Sequence, residues 1–318
     1  MGETNTPELE KYSLKGHKTS WFTRKLIRFL SDRHMRPSKP ESVRQALPKS
    51  PELKSEILAL QNFQADWIKT NLNLDPRKRS VKLDNINFYP SEIFDTLPDA
   101  NEDGDQNGYY SQGTWEIGIR QQASQAATLE VLAHELLEGL QGQVVHMQKR
   151  PDTGVIRVRQ NLVGYINKSK RRAILLNEMV NEMMNIEILD DYRRAQGGKD
   201  YLTDINIAYS ESVIFLDMFT KEAAGRLGKT AKELRFGLYR GLLTNDFNQL
   251  RFVAEAFGGS KALIDLSIWE ADNGPELRTF AAPNFGLNGY DKKVNDYFTG
   301  QLVTLFENTQ VKCDKAAA

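Results

Sequence analysis

Apolar side chains recur at intervals of three and four along most of this 318-residue chain, the spacing that lines one face of a helix. Leu53, Ile57, Leu60, Phe63 and Ile68 form such a stripe between Glu52 and Leu72, with Trp67 near its edge. A longer pattern runs from Gln122 to Met147, another from Arg171 to Tyr192, and more lie around 210–227, 230–243, 246–257 and 260–268. Alternation with period two is rarer and marks strands. It fits 81–89, closed by Pro90, and 114–120, where Trp115, Ile117 and Ile119 alternate. In 154–166, Ile156 and Val158 oppose Val155, Arg157 and Arg159, which predicts a strand or hairpin arm. The expectation is an α+β chain, predominantly helical, with a small sheet preceding the central helix.

Between these patterns the chain is punctuated. Pro37, Pro40, Pro48 and Pro51 mark a linker, because proline removes a donor and restricts its neighbour. Residues 90–107 hold six acidic side chains and no basic one among Pro, Asn and Gly, the composition of a solvated loop. Its Asp103-Gly104-Asp105 lacks the remaining ligands of a calcium loop. Residues 271–290 are again rich in Gly, Asn and Pro. The expected organisation is a basic segment over 1–50, a body over 51–270 with its core at about 80–265, and an extension over 271–318.

Charge adds one asymmetry. Forty-two Lys and Arg balance forty-two Asp and Glu overall, yet residues 11–50 carry eleven basic side chains against Asp32 and Glu41. Within them, Ser20–Leu30 clusters Trp21, Phe22, Leu26, Ile27 and Phe29 beside three basic groups, Arg24, Lys25 and Arg28. Packing on the chain's own body is favoured for this segment, with peripheral contact to an anionic bilayer left open. No helix-turn-helix, finger or RNA-binding signature accompanies the basic stretch, so no specific nucleic-acid partner is expected. The single Cys313 makes no intrachain disulfide, and no run approaches the roughly 20 apolar residues of a transmembrane helix. A cytoplasmic protein without a transmembrane segment is the expectation. Phosphate-loop and dinucleotide fingerprints are missing, as are the Glu-x-x-His pairs of a di-iron bundle.

Candidate chemistry gathers in the middle of the chain. Glu138 follows His134 by four residues, about 40° round an ideal helix, so the two side chains share a face. Glu130 and Gln141 lie near that stripe, while Leu129, Leu132 and Leu136 occupy the others. A later helix carries Glu178, Asn181, Glu182 and Asn185 among Leu175, Leu176, Met179, Met183 and Ile186. Two apolar helices with facing carboxylates would either raise some carboxyl pKa values or recruit a cation. The bland alternative satisfies these groups with Asn, Gln and the nearby Arg150, Arg157, Arg159, Arg171 and Arg172.

The order of a strand with Ile117 and Ile119, a helix with His134-Glu135, and Asn177-Glu178 on a later helix resembles the gluzincin zinc metallopeptidases, notably their minimal domains. The resemblance covers about residues 80–265. It implies a metallopeptidase-like domain with His134 as ligand, Glu135 as general base, Glu178 as downstream ligand and Glu182 orienting an imidazole. It also implies the 115–120 strand as an edge that receives an extended peptide substrate. Separately, Tyr209, just before the 210–227 helical run, is a candidate oxyanion stabiliser, with a place in the core as its alternative. One position departs: Glu138 stands where the family has its second ligand His. The implied metal set is then His134, Glu138 and Glu178, with zinc as the implied ion and manganese or iron accommodated by the extra carboxylate. Two functions follow, a metal-assisted peptidase or hydrolase and a catalytically inactive metallopeptidase-like binding or structural protein. His146 matches no extended ligand motif and is expected at a surface or cap.

Overall fold

The protein's structure, a computed structural model, describes residues 12–13, 45–97, 107–111, 116–122, 124–149, 156–167, 173–197, 210–259, 261–262, 278 and 282–298. The Ser20–Leu30 segment, Asp103-Gly104-Asp105, Trp115, Tyr209, Arg150, Arg171, Arg172 and most of 260–281 lie outside the described residues.

Helix α1 (Pro51–Leu72) starts where sequence chemistry allows a start: the Ser50 side chain accepts from Leu53 N at 3.2 Å and Pro51 opens the first turn. It ends on Asn73 in the left-handed conformation, φ 53°. Of its predicted stripe, Ile57, Leu60 and Ile68 are buried, together with Trp67, while Leu53 and Phe63 are half-buried at the edge of the core. Strand β2 (Ile86–Tyr89) is shorter than the 81–89 run, because Leu83–Asn85 closes a 3-10 turn at Asp84-Asn85. After a short α2 (Ser91–Phe94) come β3 (Gly108–Ser111) and β4 (Glu116–Arg120), in a sheet of order β2-β4-β3. Strand β4 runs parallel to β2 and antiparallel to β3.

This topology corrects one expectation. Strand β4 is the centre of its sheet, with both sides spent on neighbours; the edges are β2, bridged at Phe88 by Leu47, and β3, which the alternation pattern did not reveal. One face of the sheet buries Ile86, Phe88, Tyr110, Ile117 and Ile119 against Leu132, Ala133 and Leu136 of the next helix. The other carries a polar clasp: Glu116 Oε1 accepts from Tyr89 Oη at 2.6 Å, Asn87 Nδ2 at 3.1 Å and Tyr109 Oη at 3.3 Å. Burial first, then the Glu116 contact, push the Tyr89 phenol up from its ordinary pKa. Gly118 makes the clasp possible, since a Cβ there would overlap the Tyr109 ring.

Helix α3 (Gln125–Leu140) is capped by Ser124 Oγ, which accepts from Ala127 N at 3.1 Å. The sequence pattern carried this helix to Met147, but it stops at Leu140 and 143–149 forms strand β5 (Gln143–Lys149). The cause is local. Gly142 presses on the backbone of 243–245, with a hypothetical Cβ only 2.6 Å from Asn245 N, and its own N–H donates to Leu242 O at 3.2 Å. Buried Arg79 donates from Nη1 to Leu140 O and Leu243 O, satisfying carbonyls at two helix ends at once. Strand β5 pairs antiparallel with β6 (Ile156–Val163), so the 154–166 arm is half of a hairpin. Strands β7 (Ile166–Asn167) and β1 (Tyr12–Ser13) complete a sheet of order β1-β5-β6-β7.

Helix α4 (Ile174–Ala195) is central. It packs on α1, α3 and the helices that follow, and is buried nearly all round, Asn177, Asn181 and Asn185 included. Helices α5 (Ser210–Leu227), α6 (Ala231–Thr244) and α7 (Phe247–Glu255) close the larger core; α6 opens with a capping box between Thr230 and Glu233. The short α8 (Ala282–Asn284) and α9 (Tyr290–Phe298) lie in the carboxy-terminal stretch, α9 against α5. The architecture is α+β and predominantly helical, with the three-stranded sheet preceding the helix that carries His134. Among the described residues no helix is long and apolar enough to cross a membrane.

Candidate metal centre

The α3–α4 contact is where two apolar helices meet through polar side chains. Three asparagines one turn apart on α4 reach across to α3. Asn177 Nδ2 donates to Gln141 Oε1 at 3.2 Å, Asn181 Nδ2 to His134 O at 3.4 Å, and Asn185 Nδ2 to Glu130 O at 3.4 Å. Asn177 Oδ1 also accepts Tyr165 N at 3.0 Å, and Gly164, with φ of 50°, leaves the space that Asn177 and Gln141 occupy. This ladder fixes the rotation of α3 against α4. The carboxylates are thereby placed as well.

His134 sits at the middle of the seam. Its Nδ1 lies 2.7 Å from Glu182 Oε2, whose side chain is 1% exposed, and Asn185 Nδ2 donates to the same oxygen at 3.4 Å. The Nδ1 proton is thus committed to Glu182, and Nε2 is turned toward Glu178 Oε2 at 3.4 Å and Glu138 Oε1 at 4.0 Å. One ligand-capable atom from each of His134, Glu138 and Glu178 falls within 4.8 Å of the others. Two donors about 2.1 Å from a tetrahedrally coordinated ion lie about 3.4 Å apart. The His134–Glu178 distance therefore already suits an ion, and Glu138 Oε1 stands somewhat farther, at 4.0 Å from Nε2. The donor chemistry fits too, since one imidazole and two carboxylates bind divalent first-row metals. The HExxE pattern here builds a candidate metal centre with Glu138 in the place of a second His.

Electrostatics follow from burial. Glu135, 6% exposed, has its pKa pushed up to about 7, first by desolvation and then by the charges of Glu178 and Glu182, with His134 opposing. Burial works against the His134 imidazolium. The hydrogen bonds to Glu178 and Glu182 and the charges of Glu182 and Glu135 outweigh it and hold the imidazole well above its ordinary value.

Two residues near the site escaped the sequence reading. Gly108, on edge strand β3, lies against α3 so closely that a Cβ would meet Val131 Cγ1 at 2.6 Å and Glu135 Oε1 at 2.9 Å. Asn177 matters through both ends of its amide and not only as part of Asn-Glu. Only the i, i+4, i+8 spacing of the three asparagines could have flagged the ladder. His146 belongs to β5, opposite Arg159, and not to the helix of His134. No protein-family model, curated protein or solved structure matches the chain.

Proposed function

We propose that this protein is a divergent metal-dependent hydrolase, a peptidase by its resemblance, in which His134, Glu138 and Glu178 hold a divalent ion and Glu135 is the general base. The observation that carries this is the division of labour at His134: Nδ1 is held by a buried carboxylate while Nε2 faces two more within 4.8 Å. Zinc is the first candidate, and the second carboxylate also accommodates manganese or iron. When bound, the ion supplies Lewis acidity that activates a water and polarises the substrate carbonyl.

The chain's own residues do the rest. Glu135, one residue along α3 and with a pKa near neutrality, is suited to take a proton from the attacking water and return it to the leaving group. Glu182 keeps the imidazole in one orientation. Gly108 leaves β3 close over Glu135, which makes β3, rather than β4, the strand on which an extended peptide would be laid by backbone pairing. Tyr209 remains a candidate oxyanion donor on sequence grounds. We place the activity in the cytoplasm on the single-cysteine composition.

The asparagine ladder favours the second reading, an inactive metallopeptidase-like binding or structural protein, because it satisfies much of the seam without an ion. Metal content and hydrolysis of a mixed peptide library, measured together on wild type, Glu135→Gln and Glu138→His, separate the two. The hydrolase should bind stoichiometric metal, and Glu135→Gln should keep it while losing at least about 100-fold in turnover. Metal in wild type without hydrolysis favours the inactive reading. Metal in none of the three defeats the centre altogether.

A further inference from the structure

The Asn177 amide has two polar atoms and three partners. The backbone N–H of Tyr165 donates to its Oδ1 at 3.0 Å, and because a backbone N–H can only donate, the orientation of the amide is settled. Nδ2 must then face the other way. There it is shared between Gln141 Oε1 at 3.2 Å and Glu178 Oε1 at 3.4 Å. Asn177 and Gln141 are both buried, so neither amide can exchange these partners for bulk water.

The direction of this chain of amides has a cost. Gln141 Nε2 is buried with no hydrogen-bond partner among the described residues, and an unmet buried donor costs about 1–3 kcal/mol. Turning both amides over would pair Gln141 Nε2 with Asn177 Oδ1, but it would set that oxygen against Glu178 and Nδ2 against the Tyr165 N–H. The donor is therefore kept on the Glu178 side. Gly164 leaves the room for this arrangement, since a Cβ there would stand 2.3 Å from Asn177 Oδ1 and 2.8 Å from Gln141 Oε1.

The two oxygens of Glu178 thus have different company. Oε1 is on Asn177, and Oε2 is the one that stands 3.4 Å from His134 Nε2. Successive residues on a helix do not face each other, which is why the Asn177 contact is long; the ionised acceptor strengthens it and the fixed amide gives it direction. From this asymmetry we infer that Asn177 is a positioning residue that makes Glu178 a one-oxygen ligand, an inference that rests on the metal centre proposed above. A carboxylate that gives one oxygen fills one position of a four-coordinate zinc site, whereas one that gives both fills two and suits ions of higher coordination number. Asn177 pulls the centre toward zinc, against the hardening effect of the extra carboxylate at Glu138.

The test is competitive titration of the full chain with zinc and with manganese against a chromophoric chelator, beside the visible spectrum of the cobalt(II)-loaded protein, whose bands weaken as coordination number rises. Asn177→Leu removes the donor to Glu178 in a side chain of similar size. It should lower the zinc-to-manganese affinity ratio by at least about 10-fold and weaken the cobalt bands. Gln141→Met breaks the same hydrogen bond between α3 and α4 but leaves Asn177 on Glu178, so ratio and spectrum should stay at wild-type values. Circular dichroism in chelator shows whether each variant is folded. If Asn177→Leu is not, Asn177→Asp keeps the acceptor for Tyr165 N and can be met by Gln141 Nε2; its added charge acts on both divalent ions alike, and the same fall in the ratio is expected. An unchanged ratio and spectrum in the folded Asn177 variant would overturn the inference and leave the metal centre standing. An equal fall in Gln141→Met would also overturn it, because Asn177 would then act through helix packing. Wild type that takes up no metal would defeat the centre itself and this inference with it.

Discussion

At the residue scale, Glu138 decides what kind of centre this is. A His, His, Glu set with a divalent ion leaves a net charge of about +1, whereas His134, Glu138 and Glu178 leave about zero. The extra anionic oxygen lowers Lewis acidity and shifts preference from borderline toward harder ions. Glu138→His should therefore raise zinc affinity relative to manganese, by at least about 10-fold in competitive titration with a chromophoric chelator. An unchanged zinc-to-manganese ratio would mean that Glu138 is not a ligand. Glu182 acts one step back. Its hydrogen bond to Nδ1 selects the orientation in which Nε2 meets Glu138 and Glu178, and Glu182→Gln should weaken metal binding by about 10- to 100-fold, measured by the same titration. His134 and Glu138 were legible in the sequence because helical phase puts them on one face, whereas Glu178 and Glu182 entered through the resemblance carried by Asn177-Glu178. Gly108 was not legible, because its closeness to Glu135 exists only once β3 has docked on α3.

The elements show where periodicity misleads. Val144, Val145 and Met147 extend the apolar pattern of α3, and a short apolar run does not by itself distinguish a helix from a buried strand. What ends the helix is tertiary: the backbone of 243–245 fits against Gly142, and Arg79 ties Leu140 to Leu243. Every atom that a Cβ on Gly142 would meet is backbone, at 2.6, 2.8 and 2.9 Å, and none can swing aside as a side chain could. Gly142→Ala should thus cost about 1–3 kcal/mol of stability by overpacking, read as a lower urea midpoint at unchanged m-value. No loss would show that the α3–β5 junction is looser than its geometry. The long stripes of α1, α3 and α4 were legible since each has several turns. Strand β3 was hidden because Gly108–Ser111 is four residues long and follows an acidic loop, too short for alternation to register.

At the scale of the whole molecule, the metal centre couples folding to pH. Glu135 titrates near 7 in the folded chain against an ordinary carboxyl value of about 4.5, so between those values the folded state holds more protons than the unfolded one. Stability must then fall as pH rises through that window. His134 has the same sign: its imidazolium is favoured in the fold, so its contribution is complete below about pH 6.5 and is lost as pH rises through the elevated folded value. Glu187, raised chiefly by burial despite its 2.5 Å pair with Arg235, adds to the trend. Among the described residues, Glu52 and Glu233 act in the opposite sense below this window, held under the usual carboxyl range by hydrogen bonds at helix starts, and Lys49, lowered first by burial, opposes the trend below its ordinary value. The metal-free protein should accordingly melt at a higher temperature near pH 5 than near pH 8. An ion at the centre needs the same Nε2 that holds the proton, so its binding should release protons and strengthen as pH rises. Excess zinc or manganese should raise the melting temperature more near pH 8 than near pH 5 and shrink the acid-side advantage of the metal-free chain. Thermal melts in chelator and in metal across that range test both halves. A metal-free protein that grows more stable toward pH 8, or a metal effect largest near pH 5, would mean that His134 and Glu135 do not hold their protons as this packing requires.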